Sequence, residues 1–291
     1  MVKNIKEQPV FQDNPRLHGS VHRLFISFIC SLFIGLPAAL AEPLSGNLKE
    51  TGSPAKATEA IDATEATDAI AQALLRKADQ IRFPTEGFQV EISILSTKAD
   101  QSTEARRYQV LSKGNDKTVV IVTEPASERG QTMLMSGRDL WVFLPSVSQP
   151  VRLSLAQRLT GQVANGDLAR ANFAGDYTPR ILRTDIIDGE KYTVLELIAV
   201  DKSVTYQRAV YWVKQKNTFP YKAEFYALSN RLLKTALYEN FKMMAGKMRP
   251  TRLVMIDSLR AGEKSVLEYE AMKVRDIPDK FFTKDYLKKV D

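Results

Sequence analysis

Residues 130–145 read GQTMLMSGRDLWVFLP, two short strands and the turn between them. Met133 and Met135 share one face, Ser136-Gly137-Arg138-Asp139 supplies the turn, and Leu140-Trp141-Val142-Phe143-Leu144 continues until Pro145 ends the strand. The second strand is apolar on both faces, and the first offers thioethers, which adapt to irregular apolar partners. A sheet this apolar covers either an ordinary sandwich core or an apolar ligand; the methionines point to the ligand.

Working outward, the same habit fills the chain. Phe88, Val90, Ile92 and Ile94 alternate with Gln89, Glu91 and Ser93, the period-two pattern of a half-exposed antiparallel strand. Tyr108–Ser112, Val119–Val122 and Val151–Leu155 follow at the spacing of a meander or barrel. Residues 156–177 break the rhythm with three glycines and a short helix expected over 167–173; so long a connection reads as a lid, a binding loop or a plain surface excursion. Seven further strands are expected between Ile181 and Val274, then a short terminal helix with Phe281, Phe282, Tyr286 and Leu287 on its apolar side. Ahead of all of them, Ile70, Leu74, Ala78 and Ile81 form a helical stripe that starts at Thr67 or Asp68 and stops at Pro84. The expected fold is mainly β (α+β), with about eleven strands in one domain over residues 68–291.

The N-terminal part reads differently. Leu24–Leu36 is an uncharged apolar run after His22-Arg23, followed by Pro37 and Ala39-Leu40-Ala41. That is the layout of a secretory signal peptide cut after Ala41, over residues 1–41. The run is short of the roughly 20 residues of a membrane span, although an uncleaved anchor is the alternative. Residues 42–67, with repeated Ala-Thr-Glu and Ala-Thr-Asp units, have too few large apolar groups to pack and read as a disordered linker.

Removal of the leader would narrow the chemistry. His18, His22 and Cys30, the only histidines and cysteine of the sequence, lie within it. The exported chain would have no imidazole or thiol for Ser-His-Asp or Cys-His catalysis, zinc ligation or disulfides. No catalytic residue, metal ligand or cofactor is expected. Losing Lys3, Lys6, Arg16 and Arg23 against Glu7 and Asp13 lowers the net charge from +7 to +5. The charges are spread along the strands, without the basic block of a nucleic-acid arm.

Several stretches, in order, resemble the outer membrane lipoprotein-sorting family, the LolA-like periplasmic carriers. Asp139-Leu-Trp-Val-Phe-Leu-Pro145 followed by Val151-Arg-Leu-Ser-Leu155 is similar to that family's W-x-Y-x-P … R-x-I-S run. Gly166-Asp167 with Phe173 and Asp176-Tyr177, Tyr211-Trp212-Val213 with Phe219-Pro220-Tyr221, Leu233-Lys234-Thr235, and Phe282-Thr283 with Tyr286-Leu287 extend the likeness over about residues 69–287. Residues 156–177 depart from the family's tighter Gly-Ser-Asp-Phe-x-x-Glu-Asp pattern.

The resemblance implies an incomplete antiparallel β-barrel around an apolar cavity, covered by short helices. It implies a periplasmic, non-enzymatic carrier of lipoprotein or lipid acyl chains, with an inner-membrane transporter of RND or ABC type as partner. The same fold also serves accessory and envelope-stress sensor proteins. The expected cavity wall is Phe88, Val90, Ile92, Ile94, Met133, Met135, Trp141 and Phe143, with Ile70 and Leu74 in the lid. Asp139 and Arg152 are the expected polar pins, or else a surface pair. Which face of residues 140–144 points inward is open, because a one-residue slip reverses it.

Overall fold

A computed structural model describes residues 54–287 except 115, 148 and 171. The strands are β1 (Phe88–Thr97), β2 (Thr103–Lys113), β3 (Lys117–Glu124), β4 (Thr132–Ser136), β5 (Asp139–Phe143) and β6 (Val151–Leu153). A small hairpin, β7 (Arg158–Thr160) and β8 (Val163–Ala164), stands apart from the sheet. The second half supplies β9 (Tyr177–Ile187), β10 (Glu190–Ala199), β11 (Arg208–Lys214), β12 (Pro220–Tyr226), β13 (Leu232–Met244), β14 (Lys247–Asp257) and β15 (Lys264–Val274). The helices are α1 (Pro54–Arg82), α2 (Asn165–Ala169) and α3 (Lys284–Leu287).

Thirteen strands form one antiparallel sheet in the order β6-β5-β4-β3-β2-β1-β15-β14-β13-β12-β11-β10-β9. Each half is a meander, and the β1–β15 pairing joins the first strand to the last, with Phe88 opposite Val274 and Ile94 opposite Leu267. The sheet does not close, so β6 and β9 are its two edges. This is an incomplete barrel with few helices, as expected. Two departures concern counts and lengths. The sheet has thirteen strands where about eleven are expected, each arising from one run of the sequence. The helix expected from Thr67 or Asp68 begins at Pro54, so residues 54–66, read as linker, have helical backbone. Alanine-rich sequence supports a helix without large apolar groups. The expected leader, residues 1–41, and residues 42–53 lie outside the described residues.

Helix α1 packs on one face of the sheet, against β9, β12 and β14. This inner face carries the main apolar cluster, from Phe88, Val90 and Ile92 on β1 to Tyr211, Phe225, Tyr238 and Leu253 in the second half. On the outer face, Phe282 and Leu287 cover Leu111, Val119, Leu134 and Phe143, with Phe281 and Tyr286 packed alongside. The terminal segment therefore buries the side assigned from its spacing. Among the described residues, no helix is long and apolar enough to cross a membrane.

Candidate functional site

The inner wall follows from register. Phe88, Val90, Ile92 and Ile94 occupy alternate positions of β1 and are all buried beneath the α1 side of the sheet. On β4, Met133 and Met135 alternate with Leu134, and only the two methionines join the same cluster. Cross-strand partners share a face in an antiparallel pair. Met133 faces Val142 and Met135 faces Leu140, whereas Leu134 faces Trp141 and Thr132 faces Phe143. Leu140 and Val142 are therefore the inward residues of β5.

Trp141 and Phe143, expected in the wall, lie on the outer face, where Lys284 sits 3.9 Å from the Trp141 ring. The strand is apolar on both faces, and only its pairing with β4 sets which set turns inward. The lid stripe is also rotated. Ala71, Leu75 and Ala78 are the fully buried positions of α1, Leu74 packs at their margin, and Ile70 is 60% exposed. Small residues let the helix lie close to the sheet, so the alanines and not the isoleucine face inward. Asp139 and Arg152 form an ion pair with each other, both side chains largely exposed, and such a pair contributes ~0–1 kcal/mol.

Helices α1 and α2 cover parts of the inner face. A pocket between Phe83, Phe88, Val90, Val110 and Leu168 holds about 20 Å³ of free space, and a larger one of about 240 Å³ opens beside Val163, Ala164, Tyr206 and Leu233. Both fall short of the roughly 300 Å³ at which ligand-sized cavities begin.

The cover is held by polar bonds. Asp79 of α1 accepts the backbone N–H groups of Phe173 (2.9 Å) and Ala174 (2.7 Å) and pairs with Arg82 at 3.4 Å. The Arg82 guanidinium lies 4.4 Å from the Phe173 ring and 5.4 Å from that of Tyr238. From β14, Arg249 donates to the carbonyls of Gln80 (2.9 Å) and Ile81 (3.1 Å), two of the acceptors that a helix end leaves open. Burial pushes the Asp79 carboxyl up to about 6, against the lowering effect of Arg82 and the two backbone donors.

The irregular segment after α2 is tied down similarly. Asp176, buried, pairs with both Arg170 and Arg138, so the Gly137-Arg138 turn between β4 and β5 is linked to the end of this segment. Asp167 accepts from the Tyr206 hydroxyl at 2.7 Å and from the Ala164 N–H at 2.8 Å. Lys234 lies 4.0 Å from Asp167 and donates to the Gln162 carbonyl; burial lowers its pKa, partly offset by Asp167. Gly166 is required here, because a Cβ would lie 2.0 Å from Thr205 Oγ1.

The sequence marks Asp176 only within the Asp176-Tyr177 likeness and Arg138 only as a turn residue, and it gives Asp79, Arg82 and Arg249 no role. The available signal was a charged pair three residues apart, Asp79 and Arg82, in the same helical register as Ala71, Leu75 and Ala78. The described residues contain no group of three or more His, Cys, Asp or Glu placed to hold a metal ion.

Comparison with known proteins agrees with this architecture. A family model described as an uncharacterized protein matches residues 114–289. No curated protein matches the chain. A LolA superfamily protein from Nitrosomonas europaea is 63% identical, with a TM-score of 0.72 over 74% of this chain and 98% of that one. A DUF1329 family protein from Desulfovibrio piger is 20% identical, with a TM-score of 0.67 over 76% and 99% of the two chains. An outer membrane lipoprotein-sorting protein domain from Vibrio parahaemolyticus is 22% identical, with a TM-score of 0.65 over 76% and 100%. The last two, at such low identity, show the fold alone. The high identity across nearly the whole Nitrosomonas chain, on the same open sheet, shows that this chain belongs to the LolA superfamily.

Proposed function

We propose that this chain is a non-enzymatic periplasmic carrier that holds the acyl chains of a lipid or lipoprotein against the inner face of the sheet, beneath α1. On this reading the leader over residues 1–41 exports it. An inner-membrane transporter of RND or ABC type supplies the cargo, and the outer membrane side receives it. One observation carries the reading: α1 lies on part of the apolar wall through Ala71, Leu75 and Ala78, and a few polar bonds from Asp79 and Arg249 fix its end there. No strand pairing would break if α1 swung away. Displacing it would uncover the inner residues of β9, β12 and β14, among them Tyr177, Phe225 and Leu253, while α2 packs on β3 and β4 beside Met133 and Met135. Each buried CH₂ gains roughly 0.8 kcal/mol, so a chain of about sixteen carbons gains on the order of 10 kcal/mol on leaving water. Adaptable thioethers and a removable cover suit a protein that must also release what it binds.

The small volume of the pockets on the inner face favours a second reading, an accessory or sensor subunit that binds a protein partner and carries nothing. Extraction of the protein purified from its host, with the extract identified by mass spectrometry, separates the two. The carrier reading expects acyl lipid in near-stoichiometric amount. An empty extract, together with no uptake of lipid from vesicles, leaves the accessory role.

A further inference from the structure

At one end of the sheet three hairpin tips stand side by side. The β9–β10 tip is joined to β11–β12 through the Gln215 N–H and the Lys191 carbonyl at 2.9 Å. The β11–β12 and β13–β14 tips are joined by Phe219 stacked on Phe241, with centroids 4.4 Å apart and planes within 3°. The β13–β14 tip is a tight two-residue turn, with Met244 opposite Lys247 and Ala245-Gly246 at φ of 47° and 77°.

What this rim presents is unusual for a soluble surface. Met243 is 69% exposed, its cross-strand partner Met248 38%, and Ile186 on the neighbouring tip 70%. Segments 214–219 and 241–249 contain Lys214, Lys216, Lys242, Lys247 and Arg249 and no acidic residue. The β9–β10 tip carries Lys191 with Asp185, Asp188 and Glu190, of which Asp185 is paired with Arg183 and Glu190 with Lys214. Lys214 is paired with Glu190 and Arg249 is buried. Among the described residues, Lys216, Lys242 and Lys247 form no ion pair; Lys247 acts on Glu86 only through space. By contrast, Lys113 and Lys117, on the β2–β3 turn, are both paired with Asp279. Exposed thioethers at strand positions alternating with lysines on flexible stems make an interfacial arrangement: apolar tips reach the acyl boundary while ammonium groups meet headgroup phosphates.

We infer that this rim, formed by Ile186, Met243 and Met248 with Lys216, Lys242 and Lys247, docks the protein on an anionic lipid bilayer. The inference deepens the carrier reading by naming where the chain meets the membrane. Charge complementarity selects the occupant: the three lysines match anionic headgroups, and the apolar tips are too small and too separate to form a protein interface core. Arg249 is bonded to the Met244 carbonyl of this tip and to the Gln80 and Ile81 carbonyls of α1, so the docking rim adjoins the end of the cover.

Flotation of the exported protein as purified from its host, with protein-free vesicles, tests this. Vesicles of phosphatidylethanolamine with phosphatidylglycerol are compared with phosphatidylcholine alone, at low and high salt. The expected result is preferential binding to the anionic vesicles that weakens with salt. M243E/M248E should lower it at least about tenfold, and each Lys→Ala change at 216, 242 or 247 should lower it about fivefold. The lysine variants alter exposed side chains only, so they keep the test valid should the glutamate pair impair folding. Equal binding to both vesicle types, or undiminished binding by the lysine variants, overturns the inference. Binding only to vesicles that carry host membrane proteins overturns it in favour of a protein receptor. Lipid extracted from the rim variants is a separate readout. Retained lipid with lost flotation supports docking, whereas an empty parent protein that still floats counts against the carrier reading alone.

Discussion

Arg249 Nη1 donates to the carbonyl of Gln80 at 2.9 Å, so a buried cation on the sheet caps the end of the helix that covers the sheet. Its Nε also donates to Met244, within its own hairpin, at 3.0 Å. Arg249→Met keeps much of the volume and removes every donor. Hydrogen bonds to a charged group are worth about 1.5–3 kcal/mol, and the stranded carbonyls are partly buried. The variant should lose about 2–3 kcal/mol in urea unfolding. Hydrogen exchange should show α1 deprotected before the strands; uniform loss of protection would mean that Arg249 does not act on the helix.

Asp79 makes stability depend on pH in an uncommon direction. Its carboxyl is raised from 3.8 to about 6 by burial. The folded protein therefore binds more protons than the unfolded chain between these values. This residue's contribution to stability grows as pH falls from about 6 toward 4 and is lost as pH rises through 6, with a slope of at most about 1.4 kcal/mol per pH unit. Urea midpoints of the parent and Asp79→Asn across that window should diverge accordingly. Identical slopes for the two proteins would refute the assignment.

Gly161 turns the β7–β8 hairpin at φ 48°, and a Cβ there would lie 2.1 Å from Ser96 Oγ and 2.3 Å from Ser265 Oγ. Those hydroxyls bond each other at 2.8 Å across the β1–β15 junction, and Ser265 also accepts the Gln162 N–H. Gly161→Ala combines an unfavourable backbone region with a steric clash. A thermal melt should show destabilisation of about 2–4 kcal/mol. A loss under 1 kcal/mol would mean that the hairpin moves freely from the sheet.

The two faces of the opening hairpin should respond differently. Trp141→Ala removes outer-face packing beside Lys284 and should cost about 1–3 kcal/mol while leaving lipid content unchanged. Val90→Phe enlarges the fully buried inner wall, and lipid recovered per mole of folded protein should fall at least about twofold. Equal lipid recovery from parent and Val90→Phe would place the cargo elsewhere.

The alternation in Phe88–Ile94 was enough to turn the correct residues of β1 inward, since a period of two admits one apolar face. The spacing of runs and turns likewise set the antiparallel meander, and Phe281, Phe282, Tyr286 and Leu287 marked the buried side of the terminal segment before any coordinates. Residues 140–144 could not be oriented in this way: both faces are apolar, and only the Met133–Val142 and Met135–Leu140 pairings turn Trp141 and Phe143 outward. Nor could the helix be. Ile70 outranks Ala71 in hydrophobicity, yet close packing on the sheet selects the smaller side chain and leaves Ile70 in solvent. The Asp79–Phe173 and Arg249–Gln80 contacts join segments some 90 to 170 residues apart. Local pattern carries the strands because their periodicity is a property of neighbouring residues; the clasp on α1 exists only once β14 and the segment before β9 are brought to the same helix end.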